Sequence, residues 1–114
     1  MNERIEIVKY VVCDTYNITA EELTSACHTW RIADARAIMC YVLREHHKMT
    51  FSQIGTLLHR HHSTVLCAVR KVRTWRDNVK IFPRENETFD NIIERIKTLE
   101  SSKHLKTNSN DKLF

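Results

Sequence analysis

The chain has 114 residues, 42% of them hydrophobic, and a net charge of +4 at pH 7. That length supports one domain around one core. A single Gly and a single Pro argue for an all-α fold, because a β-rich chain needs many more turn residues. They also exclude phosphate-cradling P-loops and dinucleotide fingerprints, which each need more than one glycine.

The first predicted helix covers residues 3–16, where Ile5, Val8 and Val12 recur at helical spacing and Ile7 and Val11 widen the stripe. Asn17 is its stop. Thr19 and Glu22 form a capping box that opens a short helix at Ala20, ending near Ser25. Residues 26–31 read as a loop. A third helix is expected over Ile32–His47, burying Ala35, Ile38, Met39, Val42 and Leu43, with Arg36 and Arg44 at or beyond the margin of that face. Thr50 and Gln53 form a second capping box. The short helix it opens buries Phe51, Ile54, Leu57 and Leu58. Gly55 inside that helix costs roughly 1 kcal/mol relative to Ala, which suggests the close approach of a neighbouring helix.

His59-Arg60-His61 reads as a turn, and the next helix as His62–Val79. Val65, Ala68, Val69, Val72 and Trp75 face the core, while Ser63, Cys67 and Lys71 share another face beside Arg70. Pro83 separates it from a last helix over Thr88–Glu100, with Phe89, Ile92, Ile93, Ile96 and Leu99 inward. Periodicity ends there, so residues 101–114 are expected to form a disordered tail behind a domain of residues 1–100.

A short helix, a turn and a longer basic helix make a helix-turn-helix pattern. Between Leu58 and Lys80 stand Arg60, Arg70, Lys71, Arg73, Arg76 and Lys80 against the single acid Asp77. Such a patch is the footprint of a phosphate-backbone binder, although a solvated amphipathic helix gives the same count. At the start of the second helix Arg60, His61, His62, Ser63 and Thr64 can reach base edges. Arg pairs with guanine O6 and N7, and hydroxyls serve as donors or acceptors.

Four features carry a family resemblance: Ile18-Thr-Ala-Glu-Glu-Leu23, Ala35-Arg36 with Ile38-Met39, Ser52-Gln53-Ile54-Gly55, and Arg60-His61-His62-Ser63-Thr64-Val65-Leu66 followed by Ala68-Val69-Arg70-Lys71. Over about residues 5–99 the chain resembles the C-terminal DNA-binding domain of the bacterial replication initiator DnaA. The resemblance implies that Arg60, His61, His62, Ser63 and Thr64 read bases of double-stranded DNA. Lys71 would approach the DNA, Arg36 would contact phosphate, and Phe51 and Ser52 would lie beside the backbone. Arg70 and Arg73 add further contacts or steering. The family carries Asp where this chain has His61, and its turn is one residue longer. It also sends an Arg of the loop before the third helix into the minor groove. Here that loop reads Cys27-His28-Thr29-Trp30-Arg31, with His28 at the Arg position and Arg31 as a nearby substitute.

Replication-initiation control or regulation at DnaA-box-like sites follows as the expected role, without the motor's origin melting. A docking adaptor on the initiator or another replication protein, built on Trp30, Trp75, Phe82 and the tail, is the alternative; a core role for both tryptophans is the plainer reading. No cofactor or nucleotide is expected, since a lone Gly55 can build neither a P-loop nor a dinucleotide fingerprint, and no membrane partner, because no apolar run approaches about 18 residues. Glu3, Arg4, Glu6 and Lys9 interrupt the first apolar stretch, so no signal peptide is expected. Cys13, Cys27, Cys40 and Cys67 form no CxxC pair and read as reduced thiols of a cytoplasmic protein. The histidines near the motif (His46, His47, His59, His61, His62) lack zinc-ligand spacing, so no metal is expected. No oriented nucleophile or paired carboxylates suggest an enzyme. Protonating histidines beside DNA adds positive charge, so affinity for a duplex should rise between about pH 8 and about pH 6. A titration that stays flat across that range refutes it.

Overall fold

The computed structural model describes residues 2–26 and 29–112, with side chains for 3–26 and 29–101. Among the described residues there are six helices and no strand: α1 (Asn2–Tyr16), α2 (Ala20–Thr24), α3 (Trp30–Glu45), α4 (Phe51–Leu58), α5 (His62–Asp77) and α6 (Pro83–Lys112). The all-α expectation holds. The middle of the fold is α3, which packs against α1, α2, α4 and α5. Its Ile38, Met39 and Leu43 are fully buried, together with Val8, Val11 and Val12 of α1 and Ile54 and Leu58 of α4. Phe89, Ile92 and Ile96 of α6 close the core where that helix lies against α1 and α5. Each of these side chains contributes roughly 1.5–3 kcal/mol on removal from water.

Both capping boxes form. Thr19 Oγ1 accepts the Glu22 N–H at 3.0 Å and Glu22 Oε1 accepts the Thr19 N–H at 2.9 Å. Thr50 and Gln53 repeat the pattern at 3.0 and 2.9 Å. Helix ends are handled without glycine. Asn17, Lys48 and His59 all adopt positive φ, near 56°, and the chain reverses through bonds such as Ile18 N–H to Cys13 O at 2.9 Å and Met49 N–H to Leu43 O at 3.1 Å. Left-handed backbone at such residues costs about 1 kcal/mol each, and the recovered carbonyl bonds offset it.

The one glycine stands elsewhere. Gly55 is buried in α4, and a Cβ there would collide with the Arg60 carbonyl oxygen and come within 3.6 Å of the His62 nitrogen. The close neighbour is therefore the backbone of the turn, where the sequence pattern suggested a neighbouring helix.

Several boundaries and placements differ from the sequence expectation. α3 starts at Trp30 and ends at Glu45, because nothing in Trp30-Arg31 opposes helix and the Thr29 carbonyl already accepts the Ala33 N–H at 2.9 Å. Pro83 is the first residue of α6; at that position its missing N–H has no helical acceptor to lose. The α6 backbone continues past Glu100 to Lys112, through residues that include neither Gly nor Pro. Trp30 is 72% exposed and Leu99 37%, so neither joins the core, whereas Trp75 does. Arg36, expected at the margin, is only 6% exposed.

His47 lies in the α3–α4 connection with its side chain 4% exposed. Its Nδ1 is buried without a hydrogen-bond partner. Its Nε2 is 3.6 Å from Glu100 Oε2, which also accepts from Arg4 Nε at 3.4 Å. Burial, then the charge of Arg4, hold its pKa below the usual 6.5, with Glu100 opposing. The unfolded chain thus binds a proton that the folded chain resists, and stability falls as pH drops through the unfolded value.

Replacing Gly55 by Ala forces backbone apart and should destabilise the domain by about 1–3 kcal/mol in urea titration, despite the better helix propensity of Ala. The unfolding midpoint should fall between about pH 7.5 and about pH 5.5, and His47→Gln should lessen that fall in calorimetry.

Candidate nucleic-acid interface

The turn between α4 and α5 is built from local bonds. His59 takes the left-handed conformation and Arg60 N–H donates to Gly55 O at 2.8 Å. His61 is the N-cap of α5. Its carbonyl accepts the Thr64 and Val65 N–H groups at 3.0 and 3.2 Å. Its side chain accepts the Ser63 N–H through Nδ1 at 3.2 Å, and Ser63 Oγ lies 2.8 Å from the same nitrogen. His is outside the usual capping set, so this role was not visible in the residue type. Position was the available signal, since His61 immediately precedes the helix.

Along α5, Val65, Val69, Val72 and Trp75 are buried. Helical geometry then turns Ser63, Thr64, Cys67, Arg70 and Lys71 outward, and all five are exposed, as are His61 and His62 before them. Four of the five predicted base-reading residues thus lie together in solvent at one helix end, where the positive end of the helix dipole favours anions.

The fifth, Arg60, is half-buried and turned inward. Its Nη2 donates to Ser25 O and its Nη1 to His59 O at 3.0 Å. Arg36 reaches the same corner from α3. Its Nε donates to Leu23 O at 2.8 Å, and its Nη2 to Ser25 O at 3.1 Å and Glu22 O at 3.4 Å. Those carbonyls are left over where α2 ends, and a buried guanidinium answers them better than water does. Arg36 is therefore a brace between α2 and α3. This corrects its placement on an outward margin.

The other basic candidates are surface groups. Lys71 Nζ is 2.9 Å from Asp34 Oδ1 and 5.6 Å from the Trp75 ring centroid. Arg73 pairs with Glu45 at 3.0 Å and Arg76 with Asp90 at 2.9 Å. Pairs this exposed are worth about 0–1 kcal/mol and yield readily to a phosphate. Asp34 and Glu45 were not anticipated as partners, because they lie on another helix and no local spacing links them. Arg70 is exposed, Ser52 is exposed on the first turn of α4, and Phe51 is half-buried beneath the Arg44 guanidinium, 4.4 Å from its ring centroid. Arg31 stands exposed on the first turn of α3 instead of in a loop. His28 and Cys27 lie outside the described residues.

Arg36, Arg60, Thr64 and Lys71 rim a groove of about 250 Å³ between α3 and α5, floored by Ala33, Ala37, Cys40, Val65 and Ala68. Cys40 is buried, Cys13 half-buried and Cys67 exposed, and all three are free thiols. Burial raises the Cys40 pKa to about 12, so this thiol stays protonated and unreactive. No group of three or more potential metal-ligating side chains occurs among the described residues. No helix among them is long and apolar enough to cross a membrane.

Residues 5–72 match the bacterial dnaA protein helix-turn-helix family, more than half of the chain. The chain belongs to this family. The match runs from α1 through the turn and ends within α5, so it contains the exposed helix start described above. The chromosomal replication initiator protein DnaA of Mycoplasma pneumoniae is 38% identical over 61 residues, covering 54% of this chain and 14% of the initiator. That of Mycoplasma genitalium is 33% identical over 67 residues, covering 59% and 15%. DnaA 2 of Protochlamydia amoebophila is 34% identical over 62 residues, covering 54% and 14%. The chain thus spans a small part of each initiator's length. Membership in a DnaA helix-turn-helix family points to DNA binding, and not to catalysis.

Proposed function

We propose that the chain binds double-stranded DNA sequence-specifically at DnaA-box-like sites and acts in replication-initiation control or regulation there. The observation that carries this reading is the solvent-facing start of α5, where His61, His62, Ser63 and Thr64 stand together. A helix start of this kind enters the major groove in helix-turn-helix proteins. Arg60 joins the readers by leaving the Ser25 carbonyl for guanine O6 and N7, which offer two acceptors for its fork. Lys71, Arg70, Arg73, Arg31 and Ser52 supply phosphate contacts or steering, with Phe51 beside the backbone. Arg36 acts from behind as a brace. His28 belongs to the segment proposed to approach the minor groove. The compartment is the cytoplasm, and a replication initiator or another replication protein is the proposed protein partner.

A second reading has its own observation. Trp30, a large apolar side chain, is 72% exposed. On that reading the chain is an adaptor that docks on the initiator or a partner without reading DNA.

Fluorescence anisotropy with a DnaA-box duplex and a scrambled duplex, at two salt concentrations, separates the readings. Box preference should reach about 10³ and fall on Arg60→Ala. Absence of binding at low salt, together with partner binding that survives neutralising both Arg60 and Lys71, would establish the adaptor instead.

A further inference from the structure

We propose that His61 presents a hydrogen-bond donor to the DNA, so the base it faces carries an acceptor in the major groove. The inference rests on the DNA-binding function proposed above and deepens it to the identity of a base. The Ser63 backbone N–H is an obligate donor and lies 3.2 Å from His61 Nδ1. That nitrogen therefore holds the lone pair, and the ring's proton sits on Nε2. Ser63 Oγ is 2.8 Å from the same Nδ1, so its hydroxyl hydrogen is turned toward the ring as well. Its oxygen lone pairs stay available to an outside donor. The helix start thereby shows DNA a fixed pattern: a donor at His61 Nε2 and an acceptor at Ser63 Oγ.

The ring is held in this orientation from a second side. His62 lies against it, centroids 4.2 Å apart and planes tilted by 34°. Both histidines and Ser63 are exposed, so the polarity faces solvent in the free protein. A capping carboxylate at this position would offer acceptors only and suit the amino group of cytosine. An imidazole locked through Nδ1 offers the opposite. Purine N7, guanine O6 and thymine O4 accept from it, whereas cytosine displays only its N4 donor in that groove.

Two measurements test the proposal. Long-range proton–nitrogen correlation spectra of the free protein near neutral pH should show His61 Nδ1 unprotonated and Nε2 protonated; the opposite tautomer overturns it. Selection from random duplexes, with the unaltered chain and with His61→Asp, should then differ at one position. The unaltered chain should enrich guanine, thymine or adenine there, and the variant cytosine, by about tenfold. Aspartate keeps a capping acceptor, and circular dichroism confirms that the variant is folded. Identical preferences at every position overturn the assignment while leaving DNA reading intact. Enrichment of nothing by either folded protein overturns the DNA reading itself and this proposal with it.

Discussion

The helix-turn-helix depends on one close approach, the carbonyl of Arg60 against the bare Cα of Gly55. The turn has three residues in which to stop α4, reverse and start α5. It does so by folding its own backbone onto α4, with Arg60 N–H bonded to Gly55 O and the Arg60 carbonyl in the place a side chain at 55 would fill. His59 accepts a left-handed backbone to make this possible. Once the reversal is fixed, Val65 and Val69 meet the core beside Ile54 and Leu58, and the start of α5 is left in solvent. The penalty of a glycine within a helix is thus a condition of the geometry.

What the sequence made legible was mostly local. The two capping boxes depend on residues three apart and formed as the pattern predicted. The buried stripe of α5 follows from Val65, Val69 and Val72 alone, and it leaves Ser63, Cys67 and Lys71 outside without further information. What was hidden depends on groups that meet only in the fold. Arg36 is drawn inward by carbonyls at the end of α2, eleven to fourteen residues earlier. Trp30 reads as a core residue by type but falls on an outward turn of α3. His61 belongs to a residue type that seldom caps helices, so its bond to Ser63 was concealed in plain sequence. Pro83 was legible as a break but not as a beginning, because proline punctuates both.

Charge is arranged in tiers. The deepest guanidinium, Arg36, is tied to backbone oxygens. Arg60 is half-buried on the same corner. Lys71, Arg73 and Arg76 hold carboxylates at the surface. The solvent-facing cations are thus the ones whose present partners are weakly held, while the frame beneath them rests on backbone oxygens.

The Ser25 carbonyl accepts from both Arg36 and Arg60. The corner before α3 and the turn before α5 are therefore joined at a single oxygen, although 35 residues separate Ser25 from Arg60. The two arginines are consequently coupled in energy. A substitution at either arginine alters the setting of the other, so its tolerance depends on the genetic background that receives it. Changes at Arg36 and Arg60 are therefore not additive, since each removes one of two donors from the same oxygen.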